Sequence, residues 1–595
     1  MNECVRECMP VKAWRNSAPA IVVEVNMLNS EFLLNQRPDV GDAHAARAWL
    51  RELPLTDTRA AHHALESLLD AFDDNALSLR KRLDILETVR AQRVEIDAQY
   101  ARRYVDKPLP LAEAERAACT HALSLWQKLE TCYWQCACAA AAGDGTLRPH
   151  LALCLARAAD LACERIKGAL RAGQALDGSA AAALAQYASS ARVHGVLDTA
   201  VPDSLHPKHG VTVASVQQRA LLLSLAGAGG GLLPGREREC AFELATVWET
   251  KLAVNWMLSG LTRALTREDL PPAADPARQR IRIVHQGGQI YFMDVTALSR
   301  SLRKRIHLLG LGKGTGELKL PASFPASGAD KLLTRLHGLW CAEDFGRRTP
   351  RTTLAALPAT LLMPAPGTAD LTVAPCSAAG AFDAMVCLIQ GEPFTANEEA
   401  GTTSRSRFNE MFVFQGGGHM RRDRQVSEAQ QQFESWRSLD HSAGGARIGR
   451  AHGASARCKP GQLFALRSTA RSTARSTDST AQLAELRWCA EQPAGAAGTA
   501  SAANVLEAGI ELLAPAPTAV AVRLTGINAT GAQRWTAAFL CGGVAAGRVL
   551  ITPQGWYKPG RTIEILIGKE TQRWLLGPLK RRGIDFEMIE VARTP

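Results

Sequence analysis

The sequence predicts a multidomain α+β protein with an α-helical N-terminal bundle or irregular solenoid. A mixed middle region should follow, then a C-terminal antiparallel β-barrel with a β-rich extension. Three observations predict this. From about Arg37 to Lys251 the chain is rich in Ala and Leu and nearly free of strand-like alternation. After Leu265 short alternating runs appear, and from Met411 onward such runs dominate, with turn residues between many of them. At 595 residues the chain is long enough for several domains, and 46% hydrophobic with 21% charged residues is an ordinary globular composition that excludes wholesale disorder.

Residues 1–36 read as an N-terminal tail. They lack the basic stretch and apolar core of a secretory signal, so the expected location is the cytoplasm. Residues 37–264 read as the helical domain. One helix is marked by Leu79, Leu83, Leu86, Val89, Ile96, Tyr100 and Tyr104 at three- and four-residue steps, stopping at Pro108-Leu109-Pro110. A second runs from about Glu113 to Cys138, and a third carries Leu151, Cys154, Leu155, Leu161, Ile166 and Leu170 on one broad side. The most apolar run, Ala220 to Leu233, is about fourteen residues and contains four glycines, too short and too broken for a bilayer span. No membrane span is expected.

Residues 265–400 form the mixed region, with a hairpin between Arg280 and Val295 around Gln286-Gly287-Gly288 and helices near Ser299–Leu309 and Asp330–Trp340. Strand-like runs then follow at Met411–Phe414, Ala446–Ile448, Gln462–Leu466, Gln482–Trp488, Ala508–Leu512 and Val520–Leu524. Three more lie in 525–595, at Thr536–Leu540, Arg548–Ile551 and Thr562–Ile567. Three tetrapeptides beginning at Arg467, Arg471 and Arg475 read as a basic loop between two strands.

Several constellations point away from catalysis and from a metal or cofactor. The segment Gly310-Leu-Gly-Lys-Gly-Thr-Gly316 has Gly314 after the Lys and His307 where the first glycine of a phosphate loop should stand, so it reads as a turn. There is no His-Glu-x-x-His and no Gly-x-Ser-x-Gly. Cys132, Cys136, Cys138, Cys154 and Cys163 do not make two separated ligand pairs and read as small hydrophobes. His62-His63 reads as a solvated helix edge rather than a ligand set.

The most informative segment is Asp440-His-Ser442-Ala-Gly-Gly445, an Asp-x-Ser-x-x-Gly. A carboxylate and a hydroxyl two apart on extended backbone face the same way and can together accept from and donate to a guanine edge, while glycine permits a tight turn. Downstream come Lys459-Pro-Gly-Gln462, Leu486-Arg-Trp488 and Gly509-Ile-Glu-Leu512. In this order the motifs resemble a PilZ domain, the small β-barrel that binds the bacterial messenger cyclic di-GMP. The resemblance covers about 120 residues, Thr403 to Leu524, and sets residues 401–524 as the expected barrel. Long proteobacterial proteins with a helical N-terminal part and a C-terminal PilZ-like domain are similar in layout.

The resemblance implies a signalling effector, not an enzyme, with cyclic di-GMP as ligand and an unknown protein partner for the helical region. Asp440 and Ser442 would read guanine, Gly445 would allow the turn, and Arg405 and Arg407 would face phosphate and base. The family's two arginines stand four apart, whereas Arg405 is followed four residues later by Asn409, and Arg407 by Met411. A second reading is therefore a ligand-independent PilZ-like scaffold with a degenerate nucleotide site. Between residues 401 and 490 fourteen Arg or Lys stand against seven Asp or Glu, most of the chain's net +11. That excess suits an anionic ligand or a solvated basic face. A nucleic-acid partner is disfavoured, because the strands show no aromatic pair at base-stacking spacing.

Overall fold

In the computed structural model the described residues are 40–74, 77–175, 178–203, 205, 210–227, 233, 235–259, 281–286, 289–325, 328–341, 371–375, 381–390, 392, 394, 433–442, 444–451, 457–468, 481–492, 505–515, 517–525, 535–542 and 548–594. The helical domain comprises α1 (Ala43–Arg51), α2 (Thr58–Asp74), α3 (Leu79–Tyr104), α4 (Glu113–Ala141), α5 (Leu151–Arg171), α6 (Gly178–Val193), α7 (Val213–Gly227) and α8 (Gly235–Trp248). Local chemistry sets their starts. Asp42 accepts from the His44 and Ala45 amides at the head of α1, Ser78 caps α3, and Glu115 reaches back to the Ala112 amide at 2.9 Å.

Helix α5 is buried on almost every side. Its small residues allow this: a Cβ on Gly168 would lie 2.5 Å from the Trp126 ring of α4. Enclosure on all sides also traps charge. Arg157 and Asp160 on α5, Arg90 on α3, Arg219 on α7 and Asp203 are all buried. They pair with one another, and Glu87 adds a third carboxylate: Arg90 binds Asp203 through two bonds of 2.8 Å and Asp160 at 2.9 Å, Arg157 reaches Asp203 at 3.2 Å and Glu87 at 2.9 Å, and Arg219 pairs with Asp160. Burial pushes the Asp203 carboxyl up, but the Arg90 hydrogen bonds and charge outweigh it and hold it below its ordinary value. A lowered carboxyl stabilises the fold at neutral pH, and that contribution is lost as pH falls below about 4.

A three-stranded sheet in the order β1 (Ala253–Ser259), β3 (Gln289–Asp294), β2 (Ile281–Gln286) follows. The β2–β3 hairpin lies where alternation placed it, whereas β1 falls in a stretch read as helical. Helices α9 (Thr296–Gly310) and α10 (Ala329–Cys341) pack together, and the Trp340 indole of α10 donates to the Leu222 carbonyl of α7 at 3.0 Å. The segment after α9 turns at Gly312, whose φ is +84°.

Two closed six-stranded barrels complete the fold. The first has the order β4 (Leu371–Pro375), β5 (Glu434–Ser442), β6 (Gly445–Ala451), β9 (Val505–Pro515), β8 (Gln482–Gln492), β7 (Leu463–Ser468). The second has the order β10 (Thr518–Leu524), β11 (Thr536–Cys541), β12 (Arg548–Pro553), β15 (Phe586–Arg593), β14 (Glu570–Arg582), β13 (Thr562–Ile567). The first barrel thus draws a strand from the middle region, and Val520–Leu524 pairs in the second. The run Met411–Phe414 and the tetrapeptides at Arg471 and Arg475 lie outside the described residues. Helix α11 (Ala381–Gln390) sits between the barrels, where Phe382 stacks on Phe539 and shares an apolar cluster with Leu463, Leu483 and Phe586.

The first barrel docks on the helical domain through backbone pairing. Leu109 and Cys458 exchange amide bonds of 2.7 and 2.6 Å, and Gln174 pairs with Glu491. Arg457 donates to the Pro108 carbonyl at 2.8 Å and the Pro110 carbonyl at 3.0 Å, and the buried Glu491 accepts from the Leu111 amide at 2.8 Å.

Asp203→Asn leaves two buried guanidiniums short of a countercharge and should destabilise the helical domain by about 3–5 kcal/mol in chemical denaturation. Arg457→Ala should speed hydrogen exchange at the Leu109 and Leu111 amides, whereas Lys459→Ala, which removes a more open pair with Asp106, should leave it unchanged.

Candidate functional site

The Asp-x-Ser-x-x-Gly segment is not a loop between strands. It ends β5 and turns into β6, and the pairing register decides where its side chains go. Along β5 the partners run Arg437 to Gly449, Ser438 to Ile448, then Asp440 to Arg447, with Leu439 as an extra bulged residue. Ile448 is a fully buried interior position, so Ser438 is interior as well. The bulge then inverts the parity. Asp440 lies on the outer face with Arg447, Ser442 follows two residues on, and His441 turns into the core with no exposure. Arg437 precedes the bulge on that same outer face. Simple alternation would set Arg437 and Asp440 on opposite sides, and neither Gly nor Pro marks the bulge in the sequence.

The neighbouring strands extend this face. Gly509 of β9 stands opposite Arg447, and Trp488 of β8 opposite Gly509, after a second irregularity between Leu486 and Trp488. A Cβ on Gly509 would lie 1.9 Å from the Trp488 indole nitrogen, so only glycine admits the ring there. The half-buried indole, the Asp440 carboxyl, the Ser442 hydroxyl and the exposed Arg437 guanidinium therefore belong to one outer surface. The barrel interior is filled by Trp436, Ile448, Phe464, Leu466, Leu486 and Ile510.

The hairpin has its own structural reasons. Ser442 donates its hydroxyl to the Gly445 carbonyl at 3.3 Å. A Cβ on Gly445 would lie 2.1 Å from the Ile510 carbonyl oxygen of β9, so the strands could not close. Asp440 is 8% exposed. Arg405 and Arg407 lie outside the described residues.

Charge pairing accounts for much of the local basic excess. Among the described residues of 401–490, Arg447 binds both oxygens of Glu507 at 3.0 and 2.9 Å, Arg450 pairs with Glu434 at 3.3 Å, and Arg487 with Glu485 at 3.0 Å. Arg457 and Lys459 serve the docking contact, and Arg467 donates to the Ile389 carbonyl. Arg437 has no such partner among the described residues. Arg581 of the second barrel closes on Glu511 at 2.9 Å and Glu485 at 3.1 Å, beside the hairpin.

Other candidates resolve differently. The free thiols of Cys119, Cys136, Cys154 and Cys163 are buried, and burial pushes the Cys136 and Cys163 thiols up to about 11, away from reactive thiolates. His62 is 2% exposed and faces Glu66 and His121, which corrects its reading as a solvated edge. Its burial depends on how α2 packs against α4, which helical spacing alone does not supply. A cleft of about 740 Å³ between α1 and α3 is lined by Asp42, His44, Arg47, Lys81, Asp84 and Glu87 among others.

A filled barrel with an outer face carrying carboxylate, hydroxyl, guanidinium and indole is a candidate nucleotide-binding module. Comparison with known proteins adds to this from another part of the chain: residues 44–255 match the family model for the N-terminal domain of the cyclic-di-GMP receptor FimW. The match covers the helical domain and ends at the start of β1, and it agrees with the resemblance to cyclic di-GMP receptors carried by the barrel motifs. Among solved structures, the PlzA protein of Borreliella burgdorferi in complex with c-di-GMP aligns over 27% of this chain and 78% of its own. Identity there is 7% and the TM-score 0.11, too slight a likeness to argue from. No curated protein matches. No helix among the described residues is long and apolar enough to cross a membrane.

Gly445→Ala should lower the melting midpoint of the protein markedly, whereas Gly444→Ala, where a Cβ meets nothing within 4 Å, should leave it in place. Thermal melting followed by tryptophan fluorescence makes the comparison.

Proposed function

We propose that the protein is a cyclic di-GMP-binding signalling effector. The outer face of the first barrel takes the dinucleotide, and the helical domain passes its occupancy to a protein partner. The observation that carries this reading is the match of residues 44–255 to a cyclic-di-GMP receptor domain, in a chain whose barrel bears Asp440-x-Ser442-x-x-Gly445. Asp440 accepts from the N–H donors of a guanine edge, Ser442 supplies a hydroxyl beside it, and Gly445 keeps the hairpin closed. Arg437 offers its guanidinium to guanine O6/N7 or to a phosphate, and Trp488 offers a flat apolar surface to a base. Arg405 and Arg407 remain the phosphate and base contacts that the family resemblance implies. The mode of action is binding and relay in the cytoplasm, with no catalytic step.

A second reading, a scaffold whose barrel docks without ligand, draws on the pairing of Arg447, Arg450 and Arg487 with carboxylates, which withdraws them from an anion.

Isothermal calorimetry of the full chain with cyclic di-GMP separates the two. Binding at or below tens of micromolar is expected, weakened about ten- to a hundredfold by Arg437→Ala and by Asp440→Ala/Ser442→Ala. Absent heat at that concentration decides for the scaffold, and unchanged affinity in the double variant would overturn the barrel face as the binding site.

A further inference from the structure

We propose that His62, Glu66 and His121 form a binding site for a divalent transition-metal ion, zinc being the best match. The site is on the helical domain and is independent of the nucleotide reading. His62 and Glu66 stand four residues apart on one face of α2, and His121 reaches them from α4. One donor atom from each lies within 4.8 Å of the other two, and His62 Nδ1 is 3.6 Å from Glu66 Oε2. Ligands at roughly 2.0–2.1 Å from a tetrahedral zinc stand roughly 3.4 Å apart, so the three need only small adjustments to close on an ion.

The surrounding bonds prepare the ligands. His62 Nε2 lies 2.8 Å from the His121 carbonyl, which can only accept, so the imidazole proton sits on Nε2 and the Nδ1 lone pair is left facing Glu66. Its plane is set by the Tyr100 ring, edge-on at 5.1 Å between centroids. Ser124 donates to Glu66 Oε1 at 3.1 Å, which leaves Oε2 toward the histidines. Lys128 stands 4.0 Å from Glu66 Oε1 but is drawn more closely to Asp70, at 2.8 Å. Two imidazoles and one carboxylate are a donor set suited to zinc, with a fourth position open to water.

A simple His62–Glu66 ion pair would leave the approach of His121 to the same point unexplained.

The test uses the full chain, stripped with chelator and titrated with zinc and with cobalt(II), whose spectrum reports the donor atoms. Expected are about one equivalent bound, weak visible cobalt bands without intense near-ultraviolet thiolate charge transfer, and displacement by zinc. His121→Ala and Glu66→Gln, both outside the buried core, should each weaken binding roughly tenfold or more while leaving the metal-free melting midpoint in place. No uptake, uptake with thiolate bands alone, or unchanged affinity in both variants would overturn the site.

Discussion

The backbone pairing of the first barrel with two loops of the helical domain is the constraint on which the rest of the architecture depends. Leu109 with Cys458, and Gln174 with Glu491, extend the hydrogen bonding of the barrel into the gap between α3 and α4 and into the end of α5. Those loops break the helices because Pro108 and Pro110 cannot continue α3 and Gly173, with φ of +67°, closes α5. Breaking helices frees polar backbone groups, and the barrel satisfies them: Arg457 takes the carbonyls of Pro108 and Pro110, and the Glu491 carboxylate takes the Leu111 amide. A change on the barrel can reach the helices directly through these bonds.

The same contact changes the meaning of the positive charge. Read along the chain, the excess around Asp440 suggested a surface awaiting an anion. In the folded protein Arg457 and Lys459 are spent on docking, Arg447 and Arg450 answer carboxylates on neighbouring strands, and Arg487 takes Glu485 on its own strand and Glu511 on the next. Cross-strand pairs like these are ordinary sheet stabilisation. Sequence proximity therefore overstates the charge available to a ligand, and Arg437, on the exposed face beside Asp440, has no carboxylate partner among the described residues.

Much of the fold was legible because its periodicities are clean. The helices from Leu79, Glu113 and Leu151 run where their apolar steps placed them, and so do the β2–β3 hairpin and most of the barrel strands. The strands that escaped have physical reasons. β5 mixes buried Trp436, Ser438, Asp440 and His441 with a bulge that breaks period two, and β14 carries Gly577 and Pro578 at its centre, where its register shifts. The site was legible in its glycine and hydroxyl but not in its geometry. Which face Asp440 occupies depends on one extra residue, and His62 is buried by a neighbour sixty positions away, neither of which a local pattern carries.

The apolar layer between the barrels bears on what counts as a unit of this protein. Leu463, Ala465 and Leu483 point out of the first barrel into a cluster completed by α11 and by Phe539, Ile551 and Phe586 of the second. The strands that end one barrel and begin the other, at Pro515 and Thr518, are almost contiguous. Cutting there would strip each barrel of part of its own interior-like surface and leave an oily wall facing water. The two barrels are thus better regarded as a single fused module, in which each closes the other's apolar flank.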